Sequence, residues 1–356
     1  MNHKQLTFAR EYRGYNQTEL SSKIQGLSQS NLSKFEKGLG PLSDEVIDRI
    51  IEFLDFPRSF FNLKINNNTE TAHFRKRASI TKKERTSIQN SYRLIGHIID
   101  QMGDSLHWPE FKLKALDLED GYTPGYVAQY TRKLLGLGDD EPVQNIYHLL
   151  ESNGIIIAEL DEVMKFDGVS LLTDDGQPMI VVNKNFSNDR KRFTIAHELG
   201  HLLMHCIDHP AIPEHRDHKV IENEANNFAS EFLMPAKSIR NHLYDLKLSD
   251  LAKLKSYWLT SMASIVRRAR DLGCIDQNRY QYINIEFSRA GLKKNEGPEV
   301  FIDDPVLLNK GYSMHKNELA YSDQELAGAF SLPIDVIMKY LKFDRAGKAR
   351  KLQVAI

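Results

Sequence analysis

The spacing of apolar residues changes character several times along the chain. Over residues 1–61 it is helical, in short runs broken by polar or glycine turns. Leu20 and Ile24 point inward along 17–24, Gly26 supplies a turn, and Ser28 caps a second helix through SQSNLSKFEKG. A polar and then basic stretch, NNNTETAHFRKRASITKKER, marks a boundary. Beyond it Ile88, Tyr92, Ile95, Ile98 and Ile99 predict a long helix over about 81–117. From Thr123-Pro124 two further helices are expected, VAQYTRKLLGL ending at Gly136 or Gly138 and VQNIYHLLESNG ending at Gly154. Three strand-like runs follow, IIIAEL, GVSLLT and PMIVVN, the last two joined through DDGQ, whose Asp-Gly step signals a hairpin. Helical spacing then returns in the segment holding RFTIAHELGHLLMH. A loop rich in His and charge separates it from the helix ENEANNFASEFL, which Pro235 stops. Helices run on to about 291, and the tail holds another helical pair, YSDQELAGAF and PIDVIMKYL.

Composition narrows the class. With 41% hydrophobic and 27% charged residues and a net charge of −1, the chain is an ordinary globular protein and not a cationic coat for nucleic acid. Basic charge is local: residues 73–85 carry six Lys/Arg against one acid, whereas residues 1–61 balance eight Lys/Arg with eight Asp/Glu. Cys206 and Cys274 are too few for a disulfide framework or a cysteine-rich zinc site and fit a reducing compartment. The first 25 residues hold no apolar run, and nowhere do 18 apolar residues follow one another. The expected location is therefore the cytoplasm, with no membrane partner.

The chemistry concentrates in RFTIAHELGHLLMH. His197 and His201 stand four apart, on one helix face, where two imidazoles can meet one ion; Glu198 can reach that ion's bound water. This is the H-E-x-x-H pattern of zinc peptidases, with Glu198 as general base acting on a water whose pKa the metal lowers to roughly 7. Such a pattern also arises by chance, but the flanks TIA and LGHLL are apolar, so the helix is buried and its His-Glu-His set needs a partner. His205 lies about 12 Å along the axis from His197, too far to share one zinc with both other histidines, and a packing or hydrogen-bonding role at the helix end is expected. His209, His215 and His218 read as solvated loop residues.

Taken with IENEANNFASEFLMP some twenty residues later, this segment resembles the ImmA/IrrE family of zinc metallopeptidases. The resemblance extends upstream through the GVSLLT/PMIVVN hairpin and covers roughly residues 122–285. It implies a thermolysin-like, gluzincin-type core, one Zn2+ per chain, and site-specific cleavage, typically of a helix-turn-helix repressor, that relieves repression in a mobile-element or stress response. For the third ligand Glu222 and Glu224 compete. The apolar face Ala225, Phe228, Ala229, Phe232, Leu233 places Glu222 within about 60° of its centre and Glu224 about 110° away, towards the flank or solvent. The family's E-x-x-A-N pattern matches Glu222, Ala225 and Asn226. Glu222 is therefore the expected ligand and Glu224 a surface carboxylate dispensable for metal. Asn226 sits where thermolysin-like enzymes carry a residue that orients a ligand histidine, with an amide in place of the acid.

Residues 4–61 are similar to the XRE/Cro-type helix-turn-helix family. The resemblance implies that Gln29, Ser30, Asn31, Ser33 and Lys34 face the major groove, with Gln17 and Lys37 near phosphates. The balanced charge of the module leaves protein docking or self-association as a homodimer open beside DNA binding. The expected fold is α+β and mostly helical. It comprises a five-helix helix-turn-helix domain (1–65), a basic linker and helical connector (66–121), a zincin core with a small sheet (122–290) and a helical C-terminal region of unassigned role (291–356). Two functions stand. One is a zinc endopeptidase that cleaves a regulatory protein encoded nearby, such as a repressor or antitoxin. The other is a DNA-binding transcriptional regulator whose peptidase-like domain serves mainly as a sensor.

Overall fold

A computed structural model describes residues 1–65, 81–161, 166–207, 216–292 and 296–341. The N-terminal module consists of α1 (His3–Tyr12), α2 (Gln17–Lys23), α3 (Gln29–Glu36) and α4 (Asp44–Leu54), and in fifth place a single 3-10 turn (Arg58–Asn62). Its helices start where the side chains allow. Asn16 and Glu19 form a reciprocal cap on α2, and the Ser28 hydroxyl accepts from the Asn31 N–H at 3.1 Å on α3. Gly26 turns the chain between them at φ 83°, a conformation that favours glycine. Leu6, Leu20, Leu32, Ile50, Leu54 and Phe60 fill the interior, and the Arg10 guanidinium clamps the Glu36 carboxylate at 2.6 and 2.9 Å.

Helix α5 (Lys82–Gly103) begins with a Thr81–Glu84 reciprocal cap and stops well short of residue 117. Pro109 lacks a donor and restrains Trp108, whose indole N–H instead folds back to the Ile99 carbonyl at 3.1 Å. The long-helix expectation therefore fails over 104–117. Next come α6 (Pro124–Leu134) and α7 (Ile146–Glu151), then β1 (Ile156–Leu160), β2 (Gly168–Leu172) and β3 (Pro178–Asn183). The strands form one sheet in the order β1-β3-β2, with β1 parallel and β2 antiparallel to β3. In the β2–β3 turn the Gly176 N–H donates to the Thr173 carbonyl at 3.0 Å.

The sheet is covered on both faces, which is why its strands read as nearly unbroken apolar runs. Ile157, Ile180 and Val182 point to the side of α8 (Asn188–His201), which a π-turn (Leu202–Cys206) extends, and of α9 (His218–Leu233). That core also takes in α10 (Ala236–Ile239), α11 (Leu248–Trp258), α12 (Met262–Asp271) and α13 (Gln277–Arg289). Ile156, Ala158, Val169, Leu171, Met179 and Val181 point the other way. They meet α5 and the tail helices α14 (Leu307–Asn317), α15 (Asp323–Phe330) and α16 (Ile334–Tyr340). The region without an assigned role thus roofs the sheet. The same core continues into the N-terminal module: α1 packs on α5, Arg13 pairs with Asp335 at 2.7 Å, and the Tyr340 hydroxyl reaches Tyr12 and Ser91. Residues 66–80, which hold most of the basic linker, lie outside the described residues.

Candidate metal centre

Two helices make the site. Helix α8 runs beneath the sheet, fixed by the buried Arg192 guanidinium, which donates to the carbonyls of Leu259 and Gln144 and which burial pushes down to about 10. Helix α9 lies close against it because the facing side chains are small: Ala225 and Ala229 are fully buried, and a Cβ on Gly200 would come within 3.0 Å of the Phe228 ring. The apolar face Ala225, Phe228, Ala229, Phe232, Leu233 turns inward throughout. Glu222, three residues before Ala225, is thereby carried over His197 and His201.

The three side chains form a tight triangle. The Nε2 atoms of His197 and His201 are 3.0 Å apart, and the Glu222 carboxylate oxygens stand 3.4 Å from His201 and 3.6 Å from His197. Burial alone would raise the Glu222 carboxyl; His197 and His201, in the forms that carry a proton towards it, outweigh burial and hold it well below the usual carboxylate range. On the far side of its ring, His197 Nδ1 meets the Asn226 side-chain oxygen at 3.1 Å, so the proton sits on Nδ1 and the Nε2 lone pair faces the triangle. Tetrahedral zinc with bonds near 2 Å separates its ligand atoms by about 3.3 Å. The triangle is close to that size, and two imidazole nitrogens with a carboxylate are a donor set that a cation fits.

Glu198, next to His197 along α8, is buried, and its Oε2 accepts from the Ser170 hydroxyl of β2 at 2.8 Å. Strand and helix are pressed together here, since a Cβ on Gly168 would lie 2.6 Å from the Thr194 methyl and 3.2 Å from the Glu198 side chain. Ser170 stands outside the H-E-x-x-H pattern, which by itself does not mark it as a partner of Glu198. Strand alternation that puts Val169 and Leu171 on the roof face puts Ser170 on the α8 face, a signal the sequence did carry.

His205 takes the hydrogen-bonding role expected of it at the helix end, whereas Glu224 departs from the surface role expected of it. His205 lies behind His201, their Nδ1 atoms 3.0 Å apart, and its Nε2 meets Glu224 at 2.9 Å. Arg216 donates to both Glu224 oxygens at 2.7 and 2.8 Å. Glu224 is thus no idle surface carboxylate: the helix flank to which rotation assigns it is where the π-turn brings His205. His218 opens α9 exposed to solvent, while His209 and His215 lie outside the described residues.

In the N-terminal module, α3 buries only Leu32 and Phe35. Gln29, Ser30, Asn31 and Lys34 are exposed along it, Ser33 is half-buried, and Lys37 is exposed just past its end. Gln17 is half-buried and held: its amide donates to Glu36 at 2.7 Å and accepts from Gln29 at 2.9 Å. Of the basic stretch 73–85, only residues 81–85 are described.

No curated protein matches the chain. Residues 151–270, which span the sheet, α8, α9 and most of α12, match the family model of the IrrE N-terminal-like domain of peptidase family M78. Residues 8–61 match that of a helix-turn-helix domain. The chain thus joins an N-terminal helix-turn-helix domain to an IrrE N-terminal-like, metallopeptidase-like domain.

Proposed function

We propose that this protein is a cytoplasmic zinc-dependent endopeptidase that cleaves a regulatory protein, such as a repressor or antitoxin encoded nearby. The observation that carries the reading is the convergence of His197, His201 and Glu222 beside a buried Glu198. His197, His201 and Glu222 would hold the metal, a three-ligand set of the kind zinc uses where it also binds water. Zinc supplies, when bound, Lewis acidity and a water acidic enough to be deprotonated near neutral pH. Glu198, steadied by Ser170, would take a proton from the water as its oxygen adds to the scissile carbonyl, and would return it to the amine nitrogen as the peptide C–N bond breaks. Strand β2 lies at the sheet edge beside Glu198, so an extended substrate segment can add to it and be aligned by backbone hydrogen bonds. Both cysteines are free thiols, in keeping with a reducing compartment.

The exposed polar row on α3 favours DNA as partner of the N-terminal module, and with it the second reading, a regulator whose peptidase-like domain senses metal. Glu198 separates the two, because a sensor has no use for a general base. Co-expression with the product of a neighbouring regulatory gene, comparing wild type with Glu198→Gln, tests this. A cleavage product with wild type alone supports the peptidase; equal products, or none with any neighbouring regulator, favour the sensor.

A further inference from the structure

We infer that His205 and Glu224 are positioning residues for the metal centre, selecting the tautomer of His201 that presents a bare Nε2. The inference rests on the reading of His197, His201 and Glu222 as zinc ligands. His201 and His205 face each other through Nδ1 atoms 3.0 Å apart, and a hydrogen bond at that distance holds one proton between them. Two arrangements satisfy it. If His205 donates, the neutral His201 carries its proton on Nε2, inside the triangle, and that nitrogen is closed to a cation. If His201 donates, its Nε2 lone pair is open.

The far end of the chain of contacts decides between them. His205 Nε2 lies 2.9 Å from the Glu224 carboxylate, which only accepts, so Nε2 of His205 carries a proton. Arg216, donating to both oxygens, holds the Glu224 carboxylate in place. In neutral His205 the Nδ1 is then an acceptor, and the bridging proton belongs to His201. Burial makes the choice matter: His201 and His205 are almost wholly enclosed, so water cannot supply an alternative partner at the shared edge. Asn226 does for His197 with one amide oxygen what His205, Glu224 and Arg216 do in series for His201.

Zinc affinity of the full chain, measured by competition with a chromophoric chelator, tests this with four variants. His205→Asn keeps an acceptor oxygen where Nδ1 stands, and His205→Leu keeps bulk without one. Glu224→Gln keeps an acceptor oxygen for Nε2–H, and Glu224→Leu does not. The two Leu variants are expected to lose about 10- to 100-fold in affinity, and His205→Asn and Glu224→Gln to stay within a few-fold of wild type. Equal loss in His205→Asn and His205→Leu, or loss in neither, overturns the inference. Failure of the wild type itself to bind zinc would instead overturn the metal reading. Should a variant not fold, nitrogen chemical shifts of the wild-type histidines give the same answer: a proton on His205 Nε2 and on His201 Nδ1 is expected, and a proton on His205 Nδ1 contradicts it.

Discussion

At the residue scale, the site pairs each candidate functional group with a neighbouring side chain: His197 with the half-buried Asn226, His201 with the buried His205, Glu198 with the buried Ser170. Ser170→Ala removes one hydrogen bond to a charged acceptor, worth ~1.5–3 kcal/mol. If that bond holds the Glu198 carboxylate in its working orientation, turnover falls about ten- to a hundredfold with zinc content unchanged. Wild-type turnover in that variant would remove Ser170 from the account. The candidate ligands and base were legible in the sequence because two local rules suffice, the four-residue spacing of His197 and His201 and the rotation that ranks Glu222 over Glu224. Their supporting residues were less so. Ser170 comes from a strand 28 residues away, and the meeting of His205 with Glu224 depends on a π-turn that no spacing rule announces.

At the element scale, the site depends on how closely α8 and α9 approach. Gly200→Ala would press a methyl group into the buried Phe228 ring, so α9 must give way and lift Glu222 from the histidines. Zinc affinity should fall more than thermal stability does; an unchanged zinc affinity would show that the helices have slack. A second element contact governs pH dependence. Asp100, near the end of α5, accepts from the Asp174 N–H in the β2–β3 turn. Burial pushes its carboxyl up to about 7, with Asp175 and Asp174 adding to the rise against a hydrogen bond from Thr173. The native state therefore holds more protons than the unfolded one between about pH 4 and 7, and this contribution to stability is lost as pH rises through that window. The melting temperature should fall from pH 5 to 8 in wild type and fall less in Asp100→Asn; parallel curves would contradict it. Strand existence and the hairpin could be read from the sequence, but the parallel pairing of β1 with β3 could not, since apolar runs buried on both faces carry no mark of direction.

At the scale of the whole molecule, the N-terminal module shares one core with α5, the tail helices and the outer face of the sheet. The tail's role was hidden in the sequence because amphipathic helices name no partner; only the fold shows that α14–α16 cover β1 and its neighbours. This packing leaves α3 exposed, with its polar row and Lys34 towards solvent. If that row meets DNA, binding to the protein's own promoter region should weaken steeply with salt, and Lys34→Glu should lower affinity and flatten the salt dependence. No specific binding at low salt would assign the module to protein docking. Everything proposed for the enzyme depends on the triangle of His197, His201 and Glu222, so metal content is the most direct measurement. Elemental analysis of the gently purified full chain should find about one zinc per molecule. Less than about a tenth of an equivalent, with no recovery after zinc is added back, would contradict the metal centre.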